Sequence, residues 1–227
     1  MRRREFIGIL AAASLGVATP VSVSYVSEVL GGRRAEDNKA LAQAEPLATS
    51  RTIRSLNMPV RTHENREVRF YDDLIKDKIV LISVIYTRCG DECPLTTANL
   101  ARVQDILGER LGRDIFIYSI TLDPEYDTPE VLKKYAEHFG AKPGWYFLTG
   151  EKDDIKRLRK KLGWVNADPG KDLDEAYHAR MLKYGIDKFG VWGACPAQTS
   201  PKWIVRYVSW LEPAGNKPLD RDLAFNE

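Results

Sequence analysis

One continuous apolar run, residues 79–86, constrains the fold of this chain more than any other feature of its sequence. The run is rich in β-branched residues and has no alternation with polar ones, which is typical of a strand buried on both faces. A second such run covers residues 115–120, and a shorter one covers residues 145–148. The sequence therefore predicts a central parallel or mixed sheet that is covered on both faces.

Helical patterns lie between these predicted strands. Thr128 and Pro129 are a typical N-cap and first helical residue, and Gly140 follows at the expected stop of the same helix. Apolar stripes at steps of three and four residues predict two helices: Leu100, Val103, Leu107 and Leu111; and Ile155, Leu158 and Leu162. The helix that begins at Pro129 is expected to run through Val131, Leu132 and Tyr135. Strands separated by helices predict an α/β domain, with a central mixed sheet flanked by helices.

Two further regions carry strand signals. Residues 60–62 and 67–70 flank a polar stretch at 63–65, which predicts a hairpin turn. Residues 181–184 and 203–211 predict a further strand pair around a short helical insert.

The amino terminus is typical of an export signal. Arg3 and Arg4 precede an uncharged stretch over residues 6–27, which matches the twin-arginine export pattern of bacteria. A single membrane anchor is the alternative, because about 20 neutral residues can span a bilayer. We therefore divide the chain into residues 1–44, an export signal or membrane anchor with a linker, and residues 45–227, the folded domain. The predicted location is the periplasm, with tethering to the inner membrane as the alternative.

Charge and cysteine content exclude two classes of protein. The chain has 34 Lys and Arg against 32 Asp and Glu, and nucleic-acid binders usually show a strong basic excess. Nucleic acid is therefore not an expected partner. Three cysteines are too few for a disulfide scaffold, so their positions matter more than their number.

Cys89 and Cys93 follow the first buried run directly and precede a predicted helix that begins at Pro94. With Cys93 as the cap, the amide groups and the partial positive charge of the helix start would favour the thiolate form. A spacing of four residues is about one helical turn, so both sulfurs can face the same side. Such a pair can close reversibly as a disulfide or chelate a soft ion, and a permanent, inert disulfide is the structural alternative.

Four segments resemble the Sco/SenC family: FYDDL at 70–74, KIVLI at 78–82, the C-x-x-x-C-P motif within 86–94, and SITLDPEYDTP at 119–129. The resemblance implies a thioredoxin-like fold and the handling of copper for the assembly of cytochrome c oxidase. It also implies a copper site in which one distant histidine joins the two cysteines.

The chain offers three histidines for that role. His63 lies in the predicted turn, where we expect it to be solvated, and His138 lies in the last turn of a predicted helix, where a histidine suits the helix dipole. His178 follows the third helix and precedes a late strand, which is where the family keeps its ligand. The resemblance therefore implies a metal site of Cys89, Cys93 and His178.

Thiolates select Cu(I), whereas imidazole accepts Cu(I), Cu(II) or zinc, so ligand chemistry alone leaves zinc open. The resemblance implies a chaperone that delivers copper, as Cu(I) or Cu(II), to a respiratory copper enzyme subunit such as the one with the CuA-type site of cytochrome c oxidase. A thiol reductant would keep the pair reduced outside the cytoplasm. The alternative is a thiol–disulfide oxidoreductase acting on a copper-site apoprotein, with Cys89 as the attacking thiol and Cys93 as the resolving thiol.

The remaining candidates receive structural roles. Cys195 is interpreted as a small buried apolar residue. The alternative is that it serves as another metal ligand or as a resolving thiol. Asp123 and Asp127 are interpreted as residues of a turn and a helix cap. Asp91 and Glu92 lie between the two cysteines and are expected to influence the local charge.

Overall fold

The computed structural model describes residues 50–90, 92–164 and 180–212. The predictions for the leader, for Asp91 and for His178 fall outside these residues.

Helices and strands alternate along the described chain. Its first half contains helix α1 (Ser50–Arg54), strands β1 (Pro59–Thr62) and β2 (Glu67–Arg69), a π-helical turn (Phe70–Ile75), strand β3 (Ile79–Ile85), helix α2 (Glu92–Leu107) and strand β4 (Ile115–Thr121). Its second half contains helix α3 (Pro129–His138), strand β5 (Trp145–Thr149), helix α4 (Lys152–Lys161), strands β6 (Met181–Ile186) and β7 (Val191–Pro196), and helix α5 (Pro201–Ser209).

Within the described ranges the strands form a seven-stranded sheet in the order β2-β1-β5-β4-β3-β6-β7. The central strands β3, β4 and β5 run parallel, whereas the outer pairs are antiparallel. This confirms the predicted mixed sheet. Because β3 and β4 are parallel and in register from Ile79 opposite Ile115 onward, their carboxyl ends open at the same edge of the sheet.

Strand β3 is buried on both faces, as its uninterrupted apolar run predicts. Its odd-numbered apolar residues belong to a core cluster with α2, α3 and α5, and its even-numbered residues belong to a second cluster with α1 and α4. The first face of β3 presents Ile79, Leu81 and Ile85, and the second presents Val80, Ile82 and Val84. The sheet is therefore the middle layer between two helical layers.

Local signals in the sequence determine several element boundaries. The Thr128 hydroxyl accepts a hydrogen bond from the Val131 amide at 3.4 Å and caps α3, and Gly140 follows the helix with a positive φ of 63°. The hairpin between β1 and β2 turns at residues 63–65 as expected, with Asn65 in the left-handed region at φ 60°.

The prediction for residues 203–211 was wrong. This segment lies within and just after helix α5, and the strand that pairs with β6 is β7. Pro201 occupies the first turn of the helix, and Ile204, Val205 and Val208 recur at helical spacing and are buried against the first core face. The run is apolar enough to resemble a strand, but its buried residues follow the helical period.

Candidate metal centre

The cysteine pair lies where β3 ends and α2 begins, at the carboxyl edge of the parallel strands, where ligands bind in open α/β sheets. The Cys89 amide donates to the Tyr86 carbonyl at 3.1 Å, which turns the chain as it leaves β3. The Cys93 amide in the first turn of α2 donates to the Cys89 sulfur at 3.4 Å. The local fold therefore brings the side chain of Cys89 to the start of the helix that carries Cys93.

Both cysteines are free thiols, and they differ in exposure. Cys89 is 7% exposed, whereas Cys93 is 0% exposed and packs within the first core cluster. Cys89 is thus the thiol of this pair that an external reagent, ion or partner meets first.

The expectation that the helix start favours the thiolate was wrong for Cys93. Burial raises the pKa of the Cys93 thiol well above its ordinary value, although a hydrogen bond with the backbone of Tyr86 acts in the opposite direction. Cys93 is also the second residue of α2 and not its cap. A metal ion that binds Cys93 must therefore displace a proton, as is usual for thiol ligands.

The capping role expected for Asp127 was also wrong, since Thr128 is the cap of α3, although the Asp127 amide takes part in the predicted turn. The Asp127 carboxylate is fully buried and accepts hydrogen bonds from Thr87 and Thr121. The Thr87 amide lies 3.2 Å from one carboxylate oxygen, the Thr87 hydroxyl also donates to the carboxylate, and the Thr121 hydroxyl donates at 2.5 Å. We call this arrangement the Asp127 bridge, because it joins the segment before Cys89 to the end of β4.

Asp123 lies on the solvent side of the same segment. Its carboxylate accepts from the Arg88 guanidinium at 2.5 Å, and Arg88 lies over the Tyr126 ring at 4.3 Å from the ring centre. Arg88 is 60% exposed in its side chain, so the pair forms the rim of the site and not its interior. The backbone carbonyl of Asp123 accepts from the Tyr126 and Asp127 amides, which agrees with the predicted turn.

A tyrosine packs on the other side of the cysteine pair. The Thr97 hydroxyl donates to the Cys93 carbonyl at 2.7 Å and lies 3.1 Å from the Tyr135 hydroxyl. Burial raises the pKa of Tyr135 to about 12, although a hydrogen bond with Thr97 acts in the opposite direction. Tyr135 is therefore a neutral phenol beside the thiols at physiological pH.

Glu92 connects the cysteine motif to the start of β6. Its carboxylate pairs with the Arg180 guanidinium at 3.1 Å, and the Arg180 carbonyl accepts from the Ala197 amide at 2.7 Å. Asn99 of α2 donates to the Ala197 carbonyl at 2.8 Å. The residue that enters β6, two positions after His178, is thus attached to α2 beside the cysteines.

The other two histidines lie within the described residues. His63 is half-buried and not solvated as expected: its Nδ1 accepts from the Phe147 amide at 3.2 Å, and burial lowers its pKa. His138 is exposed at the end of α3, as predicted. Among the residues that the structure describes, no three His, Cys, Asp or Glu side chains form a group that could hold a metal ion, and His178 lies outside them.

Cys195 is buried in β7, as predicted, opposite Leu182 of β6 and 4% exposed. Burial raises its pKa to about 11, although a hydrogen bond with Thr199 acts in the opposite direction. No helix in the described part of the chain is long and apolar enough to cross a bilayer.

Comparisons with known proteins agree with this architecture. A SCO2-like protein of Rickettsia prowazekii is 33% identical over 130 residues, which cover 56% of this chain and 62% of the relative's length. The structure of Bradyrhizobium japonicum ScoI with copper bound matches with a TM-score of 0.53 at 22% identity, over 68% of this chain and 96% of that one. A structure of BsSco matches with a TM-score of 0.55 at 23% identity, over 68% of this chain and 90% of that one. That structure identifies a disulfide switch in BsSco, which is described as a member of the Sco family of cytochrome c oxidase assembly proteins.

These structural matches confirm the thioredoxin-like fold that the resemblance implies. The family model for SCO1/SenC matches residues 55–185, which include the cysteine motif and the Asp127 bridge. That range is more than half of the chain. The chain therefore belongs to the SCO1/SenC family.

Proposed function

We propose that this chain is an exported copper chaperone, which binds copper through Cys89, Cys93 and His178 and passes it to a respiratory copper enzyme. The observation that carries the proposal is the position of the Cys89 sulfur at the open edge of the sheet, 3.4 Å from the amide of Cys93 in the first turn of α2. Two soft sulfurs favour Cu(I) over harder cations. The copper-bound relative of the same fold supports copper as the cargo.

The contact between Glu92 and Arg180 supports His178 as the third ligand. Arg180 is attached to the cysteine motif at 3.1 Å, and the backbone of His178 is only two residues away along the chain. His178 therefore precedes a residue whose side chain contacts the cysteine motif, which supports it as the ligand that comes from a distant part of the chain.

Transfer of copper fits the unequal exposure of the two cysteines. Cys89 is partly reachable and Cys93 is enclosed, so an accepting thiol or imidazole can replace Cys89 first while Cys93 still holds the ion. We propose a CuA-type site of cytochrome c oxidase as the acceptor, because the related BsSco is described as a member of a family of cytochrome c oxidase assembly proteins. A periplasmic thiol reductant would return the pair to its thiol form after any oxidation.

A competition titration of the reduced, purified protein with a chromophoric Cu(I) chelator tests this proposal. We expect one Cu(I) per wild-type chain and loss of high-affinity binding in Cys89→Ala and Cys93→Ala. His178→Ala should weaken binding while leaving the thiols intact, and His138→Ala is the matched control, since His138 is exposed at the far end of α3. Binding of full affinity in the cysteine variants would contradict the proposal.

The second candidate function is thiol–disulfide exchange on the thiols of a copper-site apoprotein. The exposure difference also favours this activity, because a reachable Cys89 can attack and an enclosed Cys93 can resolve the mixed disulfide. The disulfide switch described for BsSco concerns a protein of the same fold. His178→Ala distinguishes the two functions: copper affinity should fall, whereas exchange rates with a small disulfide should stay near those of the wild type.

Export by the twin-arginine route forms the remaining part of the proposal. Replacement of Arg3 and Arg4 by lysine should keep the protein in the cytoplasm of a bacterial host, because that pathway requires the arginine pair. Cell fractionation measures the outcome, and periplasmic recovery of the double variant at the wild-type level would contradict this route.

A further inference from the structure

The segment between β3 and α2 delivers Cys89 to the site. Within it, the Cys89 amide donates to the Tyr86 carbonyl. Side chains of the segment after β4 bind the two residues between these positions, because the Asp127 carboxylate accepts from Thr87 and the Asp123 carboxylate accepts from Arg88.

The inner contact is the Asp127 bridge. A carboxylate that is fully buried is costly unless its oxygens accept hydrogen bonds, and here the donors are the amide and hydroxyl of Thr87 and the hydroxyl of Thr121. Each donor is thus held in place by a charged acceptor. Thr87 is bound at two atoms, which fixes the direction of its backbone as well as its position.

The base of the bridge is itself fixed. Thr121 is a fully buried residue of β4, and the amide of Asp127 donates to the Asp123 carbonyl at 2.8 Å. The Leu122 amide donates to the Ile85 carbonyl at 2.7 Å, so this segment is also attached to the end of β3. The Asp127 carboxylate is therefore carried by a segment that is hydrogen-bonded to the end of β3 and within its own turn.

Thr87 is two residues before Cys89, and the geometry points to Asp127 as a positioning residue for the cysteine pair. We propose that the Asp127 bridge holds Cys89 at the separation from Cys93 that both a shared copper ion and a disulfide require. The copper part rests on the proposed function, whereas the disulfide part does not. A preorganised pair binds an ion more tightly and closes more readily, because less conformational freedom is lost on either event.

Two equilibria measured on the reduced full-length protein test this role. The first is Cu(I) affinity by competition with a chromophoric chelator. The second is the equilibrium of the pair with glutathione, in which one oxidised glutathione accepts two electrons and two protons from Cys89 and Cys93 and leaves as two reduced molecules. The second equilibrium needs no copper.

Asp127→Asn should lower the Cu(I) affinity at least tenfold and reduce the equilibrium constant for disulfide closure by a similar factor. A tenfold change in that constant corresponds to about 30 mV in reduction potential, here toward easier reduction. Thr87→Val keeps the carboxylate charge but removes the hydroxyl donor, and should change both quantities at least threefold in the same direction. Thr87→Ser restores the donor and should stay within twofold of the wild type.

Glu125→Gln is the matched control, because Glu125 is an exposed carboxylate of the same segment that pairs with Lys152. It should leave both equilibria unchanged. Wild-type values in Asp127→Asn and Thr87→Val would overturn the proposal. So would a shift in Asp127→Asn without one in Thr87→Val, since the charge would then act without the hydrogen bonds.

Two outcomes distinguish failure of this inference from misfolding of a variant and from failure of the proposed copper function. If Asp127→Asn does not fold, the comparison of Thr87→Val with Thr87→Ser decides alone: a difference between them supports the bridge, and equal values overturn it. If the wild type binds no Cu(I) through its cysteines but the glutathione equilibrium shifts as expected, the chaperone function is wrong and the positioning role of Asp127 stands.

Discussion

Cys195 should remain unreactive in the folded protein, and alkylation measures this directly. The side chain is 4% exposed, and burial raises its pKa to about 11. Since the thiolate is the form that attacks an alkylating reagent, the rate at a given pH follows the thiolate fraction. The perturbation is treatment of the reduced, metal-free protein with iodoacetamide at about pH 8, where an ordinary thiol of pKa about 8.5 is roughly one-quarter ionised.

The expected slowing follows from the two pKa values. A thiol whose pKa is about 11 is ionised to about one part in a thousand at that pH, so Cys195 should react roughly 200-fold more slowly than an ordinary cysteine. Burial of the sulfur adds steric exclusion to this factor. Cys93 should also react slowly, because its pKa is raised by burial and its side chain has no exposed surface.

Mass spectrometry of the tryptic peptides gives the rate for each cysteine separately. The same protein unfolded in guanidinium is the control, because there all three thiols should react at similar rates. We expect Cys89 to be alkylated first in the folded state and Cys195 to remain unlabelled over the same period. If Cys195 reacts in the folded protein at nearly its unfolded rate, the burial argument is wrong, and its role as an alternative ligand or resolving thiol becomes the better interpretation.

Three further predictions concern the scaffold and its pH dependence. Ser119→Ala should lower the free energy of unfolding by about 1–3 kcal/mol in a denaturant titration. The reason is that the buried Trp145 indole N–H donates to Ser119 at 3.0 Å and would lose this acceptor. A loss below about 0.5 kcal/mol would contradict this. Gly144→Ala should prevent stable folding at ordinary temperature, because Gly144 has a φ of 99° and an added Cβ would lie 2.3 Å from the Gly112 amide nitrogen; a melting temperature near that of the wild type would show that this backbone approach is not required. His63→Gln should make stability less dependent on pH below about 6.5: burial lowers the folded-state pKa of His63, so the unfolded chain takes up the proton more readily, and the wild type loses stability as the pH falls. Equal pH dependence of the two proteins would contradict the assignment of His63 as a half-buried side chain with a lowered pKa.

The parts of the fold that depend on local pattern could be predicted from the sequence. Strand β3 follows from a long run dominated by β-branched residues, and α3 follows from the capping signal of Thr128 and Pro129. The C-x-x-x-C motif could be placed at the end of a strand for the same reason. These features are short-range, so a few neighbouring residues suffice to determine them.

The parts that depend on packing could not be predicted in this way. The sequence predicts a strand where α5 forms, because Ile204, Val205 and Val208 give the segment an apolar character. A segment of nine residues is too short for the apolar spacing to distinguish a helix from a strand. The environment of Cys93 was misjudged because the helix start predicts a low pKa, whereas burial, which the sequence does not show, has the larger effect.

The Asp127 bridge joins residues that are 40 positions apart in the chain, so no local spacing indicates it. The only signal was an acidic residue directly before a complete capping signal made by Thr128 and Pro129. An aspartate that the cap does not need, in a segment between two buried elements, is a reasonable candidate for a buried acceptor.

The central claim is that two sulfurs and one imidazole of this chain hold one copper ion. X-ray absorption spectroscopy of the Cu(I)-loaded protein tests it most directly, with His178→Ala as the comparison. The account predicts two sulfur neighbours and one imidazole neighbour in the wild type, and loss of the imidazole signal with both sulfurs retained in the variant. An identical copper environment in the two proteins, or a wild-type site with fewer than two sulfur ligands, would contradict it.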